Sequence, residues 1–293
     1  VFEDFVVPAE NLIGGVEGRG FKHVMSGLET GRINIAARAV GVAQAALEDA
    51  LARVRTGATA DGWRAPIADM ATRVTGARLV TRWAAGMKDR NERCDLEAGM
   101  AKLYASESAY AVATDALRVH GAHGQLTAFT VERHYRDTPL MIIGEGTNEI
   151  QRTLIARQLL ARQGERRDAA GSLTAAGTVV DENRELVRAV RQFVDRVLAP
   201  AAMEHEPHGR LPDDVLSALA DLGVLGTLVP PQQGGLGLDL PTHATIVEEV
   251  ARGWAAAAAL ASAHLSAAAV VARSGTRAQA RRSGSWYTRK RNV

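Results

Sequence analysis

Residues 31–51 read GRINIAARAVGVAQAALEDAL, and this stretch contains the clearest structural signal in the 293-residue chain. Its apolar side chains recur at spacings of three and four, which places them on one face of an α-helix: Ile33, Ala36, Ala37, Val40, Ala43, Leu47 and Leu51. The pattern begins after Gly20 and is predicted to run to about Val54, with Gly57 as its stop. A long helix with one apolar face predicts a helical bundle.

The same helical period recurs outward from this stretch. Further helices are predicted at 67–87, 96–120, 131–135, 147–163, 186–197, 212–222, 241–250 and 255–271. Pro200 is predicted to close the helix that starts at 186, and the 131–135 helix is predicted to end ahead of Pro139. Only Val1–Val7, with the sequence VFEDFVV, predicts a β-strand. We therefore expect an all-α fold of two helical bundle units, with one residual strand at the start.

The composition is typical of a soluble globular protein. Hydrophobic residues make up 46% of the chain, and alanine takes the place of aromatic residues, which reach only 4%. The net charge of +2 is too small to draw in nucleic acid or an anionic membrane. One cysteine, Cys94, excludes an internal disulfide and fits a reducing compartment, so a cytoplasmic location is expected. The apolar run 254–271 is rich in Ala and Ser, which favours a buried bundle helix over a membrane span.

Residues 142–152, IIGEGTNEIQR, place one carboxylate, Glu145, between two glycines, after an apolar run and just before a helix. The glycines allow a ligand to approach the backbone closely. An apolar approach lets a bound substrate exclude water, and desolvation raises a carboxyl pKa towards the working pH of a general base. Taken alone the pattern is weak, because a glutamate in a glycine-rich loop is usually solvated.

The surroundings of this loop resemble the acyl-CoA dehydrogenase family. Six stretches match in the family's order: VFEDFVVP with NLIG at 1–14, GRINIAARAVG at 31–41, AKL at 101–103, VHGAHG at 119–124, ERHYRD at 132–137 and EGTNEIQR at 145–152. Together they cover about 160 residues. This half is similar to the end of the family's middle β-domain followed by its C-terminal helical domain.

The second half resembles the same family's N-terminal helical domain, through LAP at 198–200, LGVLG at 222–226, VPPQQGGLG at 229–237, EE at 248–249 and His264. The order of the two domains is inverted relative to an intact enzyme, and the middle β-domain is missing. The resemblance implies these boundaries: a β-domain remnant at 1–15, a C-terminal-like bundle at 16–163, a linker at 164–180, an N-terminal-like domain at 181–280 and a disordered tail at 281–293.

The resemblance implies that Glu145 is the base that removes the α-proton of an acyl-CoA, while a hydride passes to FAD. Some members carry the base at the position of Gly31, which has no side chain here. The substrate-binding residues implied are Glu29, Arg32 and Gly146, and the FAD-binding residues are Arg118, Gly121, Ala122, Thr147 and Glu149. From the residues alone, Glu29 and Arg32 also fit an exposed helix pair, and Thr147 fits a simple helix cap.

Several positions depart from the family pattern. Arg118 stands where the family usually has Gln, and Ala122 where it has Gly; the family's Arg-x-x-Phe-Gly segment has no counterpart in 53–64. No metal site is predicted, although three histidines lie close in sequence: His120, His123 and His134.

Two functions therefore remain open. One is an FAD-dependent acyl-CoA dehydrogenase of fatty acid metabolism, a homo-oligomer that passes electrons to an electron-transfer flavoprotein. The other is a non-catalytic helical oligomerisation module derived from such an enzyme.

Overall fold

The computed structural model describes residues 3–57, 62–165, 183–276 and 279. Within these residues the chain forms ten α-helices: α1 Gly20–Arg55, α2 Arg64–Asp89, α3 Asp95–His120, α4 Val131–Ile143, α5 Asn148–Glu165, α6 Arg184–Phe193, α7 Ala199–His205, α8 Asp213–Asp221, α9 Leu240–Gly253 and α10 Ala255–Ser274. A π-helical turn, Val194–Leu198, joins α6 to α7. The predicted all-α fold is confirmed.

The predicted strand is wrong for residues 3–7. These residues adopt no strand, and Phe5, Val6 and Val7 are exposed, with Val6 90% accessible. A strand is stable only when a neighbouring strand satisfies its backbone groups, and within the described residues this segment joins no sheet. Val1 and Phe2 lie outside the described residues.

Helix α4 continues through Pro139 to Ile143, further than predicted. A proline inside a helix cannot donate to the carbonyl four residues earlier, which here belongs to Tyr135. The Thr138 hydroxyl donates to that carbonyl instead, at 2.9 Å. This local substitute for the missing N–H donor explains how the helix passes the proline.

Pro200 also fails to end a helix. It lies in the first turn of α7, where a backbone N–H has no intrahelical acceptor and its absence costs little. The π-helical turn before it lets the chain continue in the same direction from α6.

Helix α1 lies at the centre of the molecule and packs against α2, α3, α4, α9 and α10. The predicted apolar stripe of α1 forms much of the main core, in which Ile33, Ala36 and Val40 are fully buried. At Gly41, a side chain would meet the Cβ of Ala251 at 2.7 Å, so α1 and α9 approach to backbone contact. Close contact with α9 thus joins the second half of the chain to the first.

The junction between α1 and α9 also contains a buried polar chain. His243 is fully buried; its Nε2 lies 2.8 Å from Asn34 Oδ1, and its Nδ1 lies 2.8 Å from the Thr227 hydroxyl. Burial lowers the pKa of His243 to about 3, so the ring is neutral. A neutral ring donates through one nitrogen and accepts through the other, which satisfies both neighbours.

Helix α10 is 20 residues long, with a mean hydropathy of 1.7, so length and composition alone would suit a membrane span. One of its faces is buried against α1 and α9, including Ala258, Ala261 and Leu265. This packing is that of the predicted bundle helix. The domain boundaries stay a prediction: the linker 164–180 lies almost wholly, and the tail 281–293 wholly, outside the described residues.

Candidate active site around Glu145

The loop between α4 and α5 holds Glu145 in an unusual backbone conformation. Gly144 ends α4, and its N–H donates to the Leu140 carbonyl at 2.8 Å. Glu145 then adopts φ 56°, and Gly146 adopts φ 90°. Positive φ is uncommon for a residue with a side chain and costs energy, so surrounding contacts must hold it. Such outliers cluster at functional sites.

The carboxylate of Glu145 lies against the backbone of α1 at Gly31. A Cβ added to Gly31 would lie 2.6 Å from Oε2 and 3.1 Å from Oε1 of Glu145. Glu145 is partly buried. The missing side chain at position 31 therefore makes the space that the carboxylate occupies.

Gln151, on α5, hydrogen-bonds to the backbone of the Glu145 loop. It is fully buried, and its Nε2 donates to the carbonyls of Glu145 and Gly146, each at 3.2 Å. Gly99 on α3 leaves room for it, since a Cβ there would lie 3.2 Å from Gln151 Oε1.

Lys102, on α3, holds both ends of the same loop. Its ammonium donates to the Ile142 carbonyl at 2.8 Å and to Asn148 Oδ1 at 2.6 Å. The amide of Asn148 in turn donates to the Ser106 hydroxyl at 3.1 Å. Burial lowers the pKa of Lys102 to about 8, while nearby carboxylates, Glu149 first, oppose that shift.

A buried cation and a buried acid lie behind the loop. Burial lowers the pKa of Arg38, on α1, and the negative charges of Glu145 and Asp137 oppose this. Burial raises the pKa of Asp137 to about 6, and the neighbouring Glu206 adds to that rise. Arg38 is therefore a buried positive charge whose field reaches both Glu145 and Asp137.

The predicted substrate-binding residues of α1 do not form an exposed pair. The Glu29 carboxylate pairs with Lys88 of α2. Arg32 is buried, and its Nε has no hydrogen-bond partner among the described residues. The Nε atoms of four other arginines likewise lack a partner among the described residues, so this feature does not distinguish Arg32.

Two of the predicted flavin-binding residues lie beside Glu145. Thr147 caps α5, its hydroxyl accepting from the Ile150 N–H at 3.4 Å. Glu149 is exposed; the backbone N–H at the helix start and the Thr147 hydroxyl hold its pKa below its usual value. The predicted cap is confirmed, and Glu149 remains free of a salt bridge within the described residues.

The other predicted flavin-binding residues lie at the far end of α3. Arg118 is sixteen residues beyond Lys102, or about 24 Å along the helix. Its exposed guanidinium pairs with Asp115 at 2.8 Å, and Gly121 adopts φ 60° with open space around it. Ala122 is exposed, and a cleft of about 630 Å³ is lined by Arg118 and Gly121. One chain does not bring this end together with Glu145.

No functional role was predicted for Lys102 or Gln151, which the structure places around Glu145. A signal was available: Lys102 interrupts an otherwise small and apolar face of α3 that includes Ala98, Ala101, Ala105 and Ala109. A lysine in such a face must find buried acceptors.

The three neighbouring histidines have separate partners. His134 Nε2 lies 3.2 Å from Asp49, His120 Nδ1 lies 2.8 Å from the Ala116 carbonyl, and His123 lies 3.0 Å from Arg53. No cluster of three metal-ligating side chains occurs in the part of the chain that the structure describes.

Comparison with known families matches both halves. Residues 18–160 match the sequence model of the acyl-CoA dehydrogenase C-terminal domain, and residues 180–284 match that of the N-terminal domain. Together the two matches cover most of the chain, in the inverted order that the sequence predicts.

Individual relatives each match about half of the chain. A probable acyl-CoA dehydrogenase of Bacillus subtilis is 46% identical over 167 residues, covering 55% of this chain and 44% of that protein. The mitochondrial short-chain specific acyl-CoA dehydrogenase of Mus musculus is 42% identical over 170 residues, or 55% of this chain and 40% of the enzyme. The structure of butyryl-CoA dehydrogenase from Megasphaera elsdenii superposes with a TM-score of 0.51 at 37% identity, covering 55% and 43%. The chain thus spans less than half the length of these relatives, and it belongs to the acyl-CoA dehydrogenase family.

Proposed function

We propose that this chain supplies the base and the helical wall of an FAD-dependent acyl-CoA dehydrogenase site, with Glu145 removing the α-proton of an acyl-CoA thioester. The observation that carries the proposal is the placement of the Glu145 carboxylate over the bare backbone of Gly31, in a loop held by buried donors. A general base needs a fixed position within hydrogen-bond reach of the proton it removes.

The chemistry follows from the thioester. Its carbonyl acidifies the α-carbon, so a carboxylate oxygen of Glu145 takes the α-proton as the C–H bond breaks. The electron pair left behind forms the α,β double bond as the β-hydrogen departs with its own electron pair. FAD, when bound, supplies the acceptor for that hydride. The product is a trans-2-enoyl thioester, and Glu145 is left protonated.

The described residues fit a flavin on one side. Thr147 and Glu149 would contact it beside Glu145, because both lie at the accessible start of α5. Arg118, Gly121 and Ala122 would hold the pyrophosphate of a second subunit's flavin, since Gly121 leaves open space there. The separation of these two groups of flavin-binding residues within one chain supports the predicted homo-oligomer.

The loop is bordered by uncovered apolar side chains. Leu140, Ile143 and Ile150 are each more than half exposed. Substrate, flavin or the remainder of the dehydrogenase architecture would complete the second wall. Transfer of electrons to an electron-transfer flavoprotein and a cytoplasmic location belong to the same proposal.

Two measurements on the purified chain test this function. Visible absorbance after dialysis against FAD reports flavin binding. Incubation with an acyl-CoA in D2O, followed by NMR, reports exchange of the α-proton without any redox step. We expect Glu145→Gln to lower the exchange rate by about 100-fold or more, the usual contribution of a positioned base. The exposed Glu185→Gln is the control and should exchange at the wild-type rate.

Equal exchange by wild type and Glu145→Gln would refute the assignment of the base. A chain that neither retains flavin nor exchanges the α-proton would instead be the non-catalytic helical module.

A further inference from the structure

Gln151 is a buried side chain that contacts two consecutive backbone carbonyls of the loop, those of Glu145 and Gly146. Both bonds are donated by one amide group, at 3.2 Å. Gln151 is fully buried on α5, a regular helix that packs along α3, so the amide has a rigid base. A side chain in this position restrains the loop more than solvent can.

Three glycines make room for this arrangement. Gly31 accommodates the carboxylate, Gly99 accommodates the Gln151 amide, and a Cβ on Gly146 would lie 2.8 Å from Gln151 Nε2. Gly146 also adopts φ 90°, which side chains rarely tolerate. The space around the loop is therefore shaped for Gln151 as closely as for Glu145.

The conformation being held is itself unfavourable. Glu145 has φ 56°, in the left-handed region, which costs free energy for a residue with a side chain. Left to itself, the loop would relax away from this geometry. The two bonds from Gln151, with the Lys102 bonds to Ile142 and Asn148 on either side, offset that cost.

We infer that Gln151 is a positioning residue for Glu145, which fixes the base over Gly31 before substrate arrives. Lys102 is the second anchor. The inference deepens the proposed function and rests on it in naming Glu145 the base; the geometry of the loop does not depend on that name. Neither residue is placed to touch the reacting atoms, so both act through the backbone of the loop.

The test measures backbone order in the full chain without substrate. Amide order parameters of Glu145, Gly146 and Thr147 are obtained by ¹⁵N relaxation on deuterated protein. We expect values of about 0.85 in the wild type, as in a rigid helix, and a fall below about 0.6 in Gln151→Met. Met fills the same volume but donates no hydrogen bond. Gln158→Met, two turns further along the same helix, is the control and should leave these amides ordered.

A second variant separates hydrogen bonding from packing. Gln151→Glu has the same shape, but an ionised carboxylate cannot donate to the two carbonyls, whereas a protonated one can. We expect the loop of this variant to be mobile at neutral pH and to regain order when the pH is lowered. A side chain that only filled space would show no such recovery.

Unchanged order in Gln151→Met would overturn the inference. So would an equal loss of order throughout α1 and α3, which indicates general destabilisation, or a Gln151→Glu loop that stays mobile at low pH. If the loop loosens as expected while Glu145→Gln retains α-proton exchange, the positioning role stands and the assignment of the base fails.

Discussion

At Gly31 the lack of a side chain has opposite effects on stability and on the site. Glycine inside a helix is less favourable than alanine by about 1 kcal/mol, because it loses more backbone freedom on folding. Yet a Cβ here would lie 2.6 Å from the Glu145 carboxylate. The helix is less stable at this position, and the space accommodates the carboxylate.

This opposition gives a prediction. Gly31→Ala should leave the thermal midpoint unchanged or raise it, because the flexible Glu145 side chain can move aside while the helix gains propensity. The same substitution should lower α-proton exchange by at least about tenfold, since a displaced carboxylate no longer meets the α-carbon. Differential scanning calorimetry and NMR exchange measure the two effects. Gly20→Ala, where a Cβ meets nothing within 4 Å, is the control; full exchange in Gly31→Ala would contradict the prediction.

At the scale of elements, α4 shows how a helix passes a proline. Pro139 removes the N–H that would bond the Tyr135 carbonyl, and Thr138, fully buried, donates to it instead. The last turn of α4 is therefore intact, and the end of this helix at Ile143 sets the position of the loop that starts with Gly144 and Glu145. The Thr138–Pro139 pair therefore affects the position of Glu145.

A double-mutant cycle tests the compensation. Thr138→Val leaves the Tyr135 carbonyl without a donor and should lower the free energy of unfolding by about 1–2 kcal/mol. In a Pro139→Ala background the restored N–H supplies that donor, so the same substitution should cost clearly less. Urea unfolding of the four proteins provides the values. Identical penalties in both backgrounds would show that the Thr138 hydroxyl does not replace the missing N–H.

At the scale of the whole molecule, the two halves share one interior. Helices α9 and α10 of the second half pack on α1 of the first, and Leu240, Ala244 and Val247 belong to the main core. The buried Asn34–His243–Thr227 chain crosses this junction. The halves should therefore unfold together as a unit.

His243 makes that cooperation pH-dependent. Burial lowers its folded-state pKa to about 3, while its unfolded value is near 6.5. The unfolded chain thus binds a proton below pH 6.5 that the folded chain does not, so stability is full above pH 6.5 and declines as the pH falls. The decline from this group is about 1.4 kcal/mol per pH unit.

Urea unfolding at pH 7.5 and pH 5.0 measures this loss. His243→Gln keeps a donor and an acceptor but does not titrate. Between the two pH values, its free energy of unfolding should therefore fall by about 2 kcal/mol less than that of the wild type. If both proteins lose the same amount, His243 is not the group responsible.

Much of the candidate site was predictable from local sequence. The glycines around Glu145, the Thr147 cap and the bare position at Gly31 are each visible as residue types in short stretches. Lys102 and Gln151 were not assigned, because their acceptors lie forty residues away or across a loop whose backbone path no spacing reveals. The sequence also allowed Arg32 to be an exposed residue of a helix surface pair, whereas the structure buries it.

The sequence alone determined the helices, most of their approximate ends except those at Pro139 and Pro200, and the two family domains in inverted order, and it proposed the candidate base. These depend on period, turn chemistry and motif, which are properties of neighbouring residues. Only the tertiary structure decided that residues 3–7 form no strand, that α9 packs on α1, and that a lysine and a glutamine hold the Glu145 loop. Each of these depends on contacts between distant segments, because pairing, burial and satisfied polar groups exist only once the chain has folded.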